Sequence, residues 1–406
     1  MASQGGPPQD QPQQPGYGQP PLPGGQQLPG EPGFWSPQQP PPWTGPQQPY
    51  PPQPYPQQQP PYGQPPYGQP PYGQHPYGQV PYNMRPPEPR QIPAPPGTPF
   101  HQLARNAPHK WWRPLLGTLA LAAFAFFATI AVFLVWSIVH GAITGDFPDG
   151  EGDQLFPTDL ENLASTLVML AILTPAVVFT AWAIQRRPPW SVASVLNKIR
   201  WKWLLLACLP ALGYLAVSVA LTALVDQLFP NADPAAADDG SWIGFAAFIG
   251  PALLILCLVP FQSAAEEFVF RGWLVQAIGA YGPRGESGNL FTRLFRTPWP
   301  ALVISSALFV SAHGYTGWAL IDIFLFAMTV GWLTVRTGGI EAAIALHALN
   351  NLLAFLLPAA TGDLGSWADQ GGAPWTLLLS DIPALAFFAV TVSWLAKRRK
   401  VETVSR

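Results

Sequence analysis

The sequence has few charged side chains. Lys, Arg, Asp and Glu make up only 10% of its 406 residues, against 48% hydrophobic residues, and the formal net charge is −2. Soluble globular proteins usually carry about 25% charged residues, so this composition excludes an ordinary soluble protein. The basic residues form no stripe that could follow a phosphate backbone, which excludes nucleic acid as a partner.

Cysteine is also scarce. The chain has two cysteines, Cys208 and Cys257, and both lie inside apolar runs. No CxxC or other paired spacing occurs. The sequence therefore predicts two small buried side chains rather than a disulfide framework or a cysteine-held metal.

Residues 1–107 have no apolar segment, which excludes a signal peptide in this stretch. They hold most of the 52 prolines together with Gln, Gly and Tyr. A five-residue repeat places tyrosines at Tyr62, Tyr67, Tyr72, Tyr77 and Tyr82. Such a composition buries too little apolar surface to offset the entropy of ordering, and it predicts a disordered, low-complexity tail with local polyproline II structure. Two roles remain open, namely a tail that binds other proteins through its prolines and a solvated spacer.

Residues 108–400 have the opposite character. Eight apolar runs approach the roughly 20 residues that a helix needs to cross the hydrocarbon core. They cover 115–139, 161–184, 203–224, 243–262 with a continuation to about 280, 299–313, 318–335, 340–357 and 375–396. This pattern predicts an all-α fold, a polytopic membrane helix bundle of about eight transmembrane helices.

Positive charge alternates between the predicted loops. It precedes the first run and follows the second, fourth, sixth and eighth runs, whereas the other loops carry acidic residues. Because basic loops stay in the cytoplasm, we predict an integral protein of a bacterial plasma membrane with both termini cytoplasmic. Between the second and third runs, Val192, Val195, Leu196 and Ile199 follow a helical period, which predicts a short helix lying on the inner membrane surface.

Polar residues interrupt three of the predicted spans. They are Glu266, Glu267, Arg271, His313, His347, Asn350 and Asn351. An ionisable side chain within the bilayer is costly, so it is by default a functional hypothesis. Glu267 and Arg271 are four residues apart and share a helix face, whereas Glu266 points roughly 100° away. We therefore expect one carboxylate to be paired and the other to stay free.

The spacings around the two histidines also predict that polar residues of the spans lie together. Phe309 and His313 are four residues apart, as are His347 and Asn351, so each histidine shares a face with a second residue of its span. In contrast, Asp322 and Asp381 lie near the outer ends of their spans and are predicted to be hydrated at the interface.

These residues carry three motifs in order. "EEFVFR" resembles EExxxR, "FVSAH" resembles FxxxH, and "HALNN" resembles HxxxN. The chain thereby resembles the CAAX protease and bacteriocin-processing (CPBP or Abi) family, also called type II CAAX prenyl endopeptidases, over about residues 160–357. The resemblance implies an intramembrane endopeptidase that cuts a membrane-associated protein or peptide.

The resemblance also implies a role for each matching residue. Glu266 would be the general base that activates water, and His313 would share in this activation. His347 and Asn351 would form the oxyanion hole, while Glu267, Arg271 and Phe309 would support the site. Such an arrangement needs no serine or cysteine nucleophile, and the sequence has no GxSxG elbow.

Zinc remains an alternative. One glutamate and two histidines suffice to hold a catalytic zinc, and here they would be Glu266, His313 and His347. No HExxH pair occurs on one helix, and the resemblance favours a metal-free glutamate mechanism, hence no cofactor.

Two other classes of function also fit intramembrane carboxylates and histidines. An ion-coupled transporter uses them as a proton relay, but it usually shows internal repeats and paired broken helices, and we find neither. A non-catalytic membrane scaffold or immunity protein would keep the residues and act by binding.

Overall fold

The computed structural model describes residues 89–147, 155–230, 232, 240–282, 288–368 and 371–406. Most of the predicted tail falls on residues 1–88, outside this part. The described residues form an almost entirely helical structure with eleven α-helices. They are α1 (Trp112–Thr144), α2 (Asp159–Ala171), α3 (Leu173–Ala183), α4 (Trp201–Leu228), α5 (Phe245–Glu267), α6 (Val275–Gly279), α7 (Leu290–Arg296), α8 (Trp299–Ser311), α9 (Gly317–Thr337), α10 (Glu341–Thr361) and α11 (Leu377–Arg399).

Seven helical segments in the described part of the chain are long and apolar enough to cross a membrane, and a bent pair would make eight. Two of the seven combine neighbouring helices, since α2 and α3 form one span and α5 continues into α6 through a π-helical segment. The predicted membrane helix bundle is confirmed, and the protein is an integral membrane protein.

The bent pair explains why the fifth apolar run is short. Helices α7 and α8 meet at an angle of 69° around Thr297 and Pro298. Proline lacks an N–H and is tolerated in the first turn of a helix, so α8 begins where α7 cannot continue. The side chain of Asn289 accepts a hydrogen bond from the amide of Thr292 and caps the start of α7.

Helix α5 carries the two adjacent glutamates at its end, and the helix becomes irregular in the segment that follows these glutamates. It continues through Pro251 and Pro260, and a π-helical segment covers Phe268–Leu274. A π-helical turn leaves backbone groups that need other partners, and such turns are frequent at functional sites. Ser305 of α8 supplies one partner, because its hydroxyl donates to the carbonyl of Phe270 at 2.5 Å.

One hydrophobic core of the bundle lies among α4, α9, α10 and α11. Small residues stand where these helices meet, including Ala207, Ala211, Ala343 and Ala384, which are all fully buried. Small residues let helix backbones approach closely, which drives packing where lipid removes the hydrophobic driving force. In contrast, large apolar side chains of α1 such as Phe126, Phe127 and Ile138 face outward, as expected of a helix in lipid.

The predicted boundary of the tail at residue 107 lies too far along the chain. Phe100 and Leu103 are buried, and a short 3-10 helix covers Phe100–Gln102. The amide of Ile92 donates to the carbonyl of Arg186 at 2.9 Å, which ties this segment to the loop after α3. Gly279 permits this packing, since a Cβ there would collide with the carbonyl of His101. We call this part, residues 91–106, the N-terminal segment.

The short surface helix predicted around Val192–Ile199 is wrong. Residues Pro189–Val192 form one 3-10 turn, and Ser194 then pairs with Gly339 in an isolated β-bridge. Val192 and Val195 are buried within the protein rather than in lipid. The apolar residues recur as predicted, but they pack in a buried cluster with Phe268 and Trp273.

Several basic loops meet at one end of the bundle, which we call the basic end. It brings together the N-terminal segment, the loop between α3 and α4, the turn after α9 and the residues after α11. Here Arg200 donates to both carboxylate oxygens of the fully buried Glu341, at 2.8 and 2.6 Å. This grouping agrees with the predicted alternation of charge between loops.

Candidate active site

The last turn of α5 divides its two glutamates between two environments. Glu267 is fully buried, and its Oε1 accepts from Arg271 at 3.0 Å. Arg271 is also buried and lies over the ring of Phe309, 4.2 Å from its centroid. Glu266 is directed to a cavity instead. Of the two carboxylates, only Glu267 is paired with Arg271, as expected, while Glu266 has no arginine partner among the described residues.

His347 of α10 lies between the two glutamates. Its Nδ1 is 2.7 Å from Glu267 Oε1, and its Nε2 is 3.5 Å from Glu266 Oε2. Since a carboxylate can only accept, Nδ1 carries a proton and donates to Glu267. His347 is buried and its ring meets Phe309 and Phe326 edge to face, so its orientation is fixed on all sides.

Gln262 is a site residue that the sequence analysis missed. Its amide donates to Glu266 Oε1 at 2.5 Å, and its Oε1 accepts from Asn351 at 3.3 Å and from Ser263 at 3.0 Å. Gln262 thus links the α5 glutamate to the HxxxN motif of α10. A signal was present, because Gln262 stands one helical turn before Glu266 and faces the same side.

Gln262 leaves Glu266 with one occupied and one unoccupied carboxylate oxygen. Glu266 is only 7% exposed, yet its Oε2 has no hydrogen-bond partner among the described residues. A buried acceptor without a partner is unfavourable unless a ligand or water fills the position. This oxygen lies 3.5 Å from His347 Nε2, and Glu266 is one of the residues that line the cavity.

His313 does not lie on a helix, contrary to the sequence-based expectation. Helix α8 ends at Ser311, and His313 stands in the turn that follows. Its Nδ1 still donates to the carbonyl of Phe309, four residues earlier, at 2.8 Å. The ring is stacked on Tyr315 with centroids 5.8 Å apart, and it is half-buried. Because Nδ1 carries the proton, Nε2 is left as an acceptor.

One cavity of about 840 Å³ collects these residues. Glu266, His313 and His347 line it, together with Asn350 and Asn351. Apolar walls come from α2, including Leu163 and Leu167, and from α10. The cavity extends to the loop between α10 and α11 at residues 371–373, at the opposite end of the bundle from the basic loops.

A second polar group lies in the same cavity, where the sequence analysis expected hydrated interfacial residues. Tyr214 donates a hydrogen bond to Asp381, which is only 5% exposed, and Asp322 is a hydrogen-bond neighbour of Asp381. All three line the cavity. The expectation was wrong because distance along a helix from its end does not reveal an internal cavity.

The arrangement does not fit the zinc alternative. No group of three or more His, Cys, Asp or Glu side chains within the described ranges is placed to hold a metal ion. Glu267 is already engaged by Arg271 and His347, so it cannot replace a missing ligand without breaking a buried pair.

The fold and the site together define a polytopic membrane protein with a buried glutamate and histidine centre. In a comparison with known proteins, residues 248–353 match the family described as type II CAAX prenyl endopeptidase Rce1-like. The resemblance inferred from the three motifs is thereby confirmed for the segment that carries them.

A particular relative is the uncharacterized protein YyaK of Bacillus subtilis (strain 168). The two sequences are 26% identical over 253 residues, which cover 59% of this chain and 76% of the relative. No solved structure matches the chain.

Proposed function

We propose that this protein is an intramembrane endopeptidase in which Glu266 activates water for attack on a peptide bond. The observation that carries the proposal is the unpartnered Oε2 of Glu266, which is buried beside His347 on a residue that lines a cavity of about 840 Å³. The family match over residues 248–353 supports the same reaction class.

Glu266 acts as the general base. Gln262 holds Oε1, so Oε2 is the oxygen that takes a proton from water. The resulting hydroxide attacks the peptide carbonyl carbon, and the carbonyl oxygen becomes an oxyanion. When the C–N bond breaks, the proton held by Glu266 passes to the leaving amine, which balances the reaction.

His313 assists at the same water. Its Nδ1 proton is committed to the Phe309 carbonyl, so Nε2 is free to accept a hydrogen bond from the attacking water. With Glu266 and His313 both accepting from the water, a lone pair of the water is directed toward the substrate, and the two side chains share the proton that the water loses. The position of His313 in a turn, rather than on α8, gives this side chain access to the cavity.

His347 and Asn351 stabilise the oxyanion. The bond from His347 Nδ1 to Glu267 fixes the ring, and in the imidazolium form, with both nitrogens protonated, Nε2 donates toward the cavity. Asn351 holds Gln262 only through a long bond of 3.3 Å, so its amide can turn toward the developing charge. Preorganised donors are most effective in such a water-poor site.

Glu267 and Arg271 position this machinery. Neither touches the cavity, and their ion pair is buried with exposed fractions of 0% and 1%. Glu267 holds His347 through its negatively charged carboxylate, and Arg271 balances that charge within the buried site. Phe309 completes the support, because it packs against Arg271, His313 and His347 together.

The substrate that fits this cavity is a membrane-associated peptide or protein. The walls formed by α2 and α10 are apolar and suit a chain that enters from lipid, while the polar residues meet at one side. The basic end of the bundle faces the cytoplasm of a bacterial plasma membrane, in keeping with the charge of its loops.

Cleavage of a panel of membrane peptides by the purified protein tests this proposal. We expect cleavage by the wild type and a loss of at least about 100-fold in Glu266→Gln, since a general base contributes about 10²–10⁴-fold. Asp226→Asn serves as the matched control, because Asp226 is an exposed carboxylate on α4 outside the cavity. Absence of cleavage with every peptide, or ion flux that Glu266→Gln abolishes, would favour a transporter.

A further inference from the structure

Arg187, in the loop between α3 and α4, is a fully buried cation without a counter-charge. Its Nε donates to Gln185 at 2.6 Å and its Nη1 donates to Ser191 at 2.9 Å and to Gln276. These acceptors are all neutral. Its Nη2 has no partner, and no carboxylate within the described ranges lies at ion-pairing distance from the guanidinium.

A buried charge is normally paired, because removal from water is costly. Burial lowers the pKa of Arg187 to about 9, so the guanidinium stays protonated near neutral pH. Only neutral hydrogen bonds offset the free energy of removing this charge from water, and the N–H group at Nη2 has no acceptor among the described residues. An N–H group of this kind can be satisfied by water or by an anion from outside the chain.

A small pocket lies directly against this arginine. It has a volume of about 180 Å³, enough for a small anion, and it lies at the basic end of the bundle. Arg187, Lys198 and Arg406 line it together with Ser191 and Asn197, and no Asp or Glu of the described chain contributes to the lining. Arg406 is engaged by Glu402, whereas Lys198 is exposed and has no ion-pair partner among the described residues.

We propose that this pocket is a binding site for a phosphate-type anion, carried either by a free phosphate or by a lipid headgroup. Lys198 supplies a mobile ammonium, Asn197 and Ser191 supply hydrogen-bond donors, and Arg187 supplies the fixed charge behind them. Phosphate oxygens accept from donors of this kind, and charge-assisted bonds are about twice as strong as neutral ones.

The site also reaches the helix that carries the glutamates. Gln276 of α6 accepts from Arg187 and donates to the carbonyl of Ser191 at 2.9 Å, and the Arg187 guanidinium lies 5.9 Å from the ring centroid of Trp273. Both residues follow Arg271 on the continuation of α5. An anion that satisfies Arg187 therefore stabilises the end of the helix on which the candidate active site stands. The pocket itself does not depend on the proposed peptidase activity.

The experiment uses the full chain in lipid nanodiscs and measures the unfolding temperature and phosphate binding by calorimetry. One arm titrates inorganic phosphate into phosphatidylcholine nanodiscs, with chloride at matched ionic strength as control. The other arm compares phosphatidylcholine nanodiscs with nanodiscs that contain phosphatidylglycerol. Stabilisation in the first arm identifies free phosphate as the ligand, and stabilisation only in the second identifies the headgroup.

Lys198→Gln is the decisive variant, because it removes a charge at an exposed position. We expect it to weaken the stabilising anion at least about tenfold, the effect of losing one charge-assisted contact. Arg187→Gln should abolish the response, although it also lowers stability in its own right. Lys202→Gln is the matched control, since Lys202 is an exposed lysine close in sequence that does not line the pocket.

Two results would overturn the proposal. One is a wild type that neither phosphate nor phosphatidylglycerol stabilises beyond the chloride and phosphatidylcholine controls. The other is an equal response in wild type, Lys198→Gln and Lys202→Gln, which would show a general ionic effect.

Discussion

His347 Nδ1 lies 2.7 Å from Glu267 Oε1, so the histidine of the third motif is held by the second glutamate of the first motif. The first glutamate, Glu266, approaches the other nitrogen of the same ring at 3.5 Å. Two adjacent carboxylates therefore contact one imidazole from two directions. One is engaged by a buried arginine, and the other faces the cavity.

This division predicts different outcomes for the two glutamates. Glu267→Gln leaves Arg271 buried without a charge partner, and breaking such a pair costs about 3–5 kcal/mol. We expect Glu267→Gln to lose both stability and activity. Glu266→Gln keeps its bond to Gln262 and should lose activity while its unfolding free energy stays near wild type. Denaturation in detergent measures the stability of both variants, and a peptide cleavage assay measures their activity. A Glu267→Gln protein that is as stable as wild type would contradict the prediction.

Gln262 provides the second prediction. Gln262→Leu removes the donor to Glu266 Oε1 and leaves the carboxylate free to rotate away from the water position. Misplacement by about 1 Å can cost about 10²-fold, so we expect kcat to fall by roughly 10–100-fold with a smaller change in KM. Ser263→Ala, which removes only the neighbouring bond to Gln262 Oε1, should cost much less. Equal effects of the two substitutions would show that the role of Gln262 is structural.

The N-terminal segment should loosen in acid. His101 Nε2 contacts the carbonyl of Arg296 at 3.1 Å, and its Nδ1 is buried without a partner. Burial lowers the pKa of His101 below its ordinary value of 6.5, so the undocked segment binds more protons in this range. The free energy that holds the segment therefore falls as the pH drops through 6.5 toward the pKa of the docked state.

Hydrogen exchange of residues 100–104, expressed as protection factors, measures this effect. His101→Gln keeps a donor for Arg296 and cannot titrate, so its protection should not change with pH in the same range. Protection of the wild-type segment that is constant between pH 7 and pH 5 would contradict the prediction.

Tyr214 provides the fourth prediction. Tyr214→Phe leaves the buried Asp381 without its hydroxyl donor, and an unsatisfied buried acceptor costs about 1–3 kcal/mol. We expect a drop of this size in unfolding free energy. Tyr281→Phe, which loses a bond to the exposed carbonyl of Trp111, is the control and should change stability little. A Tyr214→Phe protein with wild-type stability would mean that Asp322 alone satisfies Asp381.

The sequence predicts the spans and the motif residues well because both depend on local patterns. Apolar runs near 20 residues define helices in lipid, and the i, i+4 spacing places Arg271 beside Glu267. What it misses depends on tertiary contacts. The bond from His347 to Glu267 joins two helices, and the group of Tyr214, Asp322 and Asp381 joins three.

Two further differences have the same origin. The N-terminal segment has the composition of a tail, yet Phe100 and Leu103 find a buried surface that only the folded bundle provides. His313 continues the apolar run of α8, but the helix ends at Ser311 and the chain turns toward Thr316, whose amide bonds the carbonyl of Gly371. No period in the sequence marks such an end.

The central claim is that Glu266 Oε2 takes the proton from the attacking water. The most direct test compares the cleavage rate of one membrane peptide by wild type, Glu266→Gln and Asp226→Asn at matched folded concentration. The account predicts a rate at least about 100-fold lower for Glu266→Gln and an unchanged rate for Asp226→Asn. A folded Glu266→Gln protein that cleaves at the wild-type rate would contradict it.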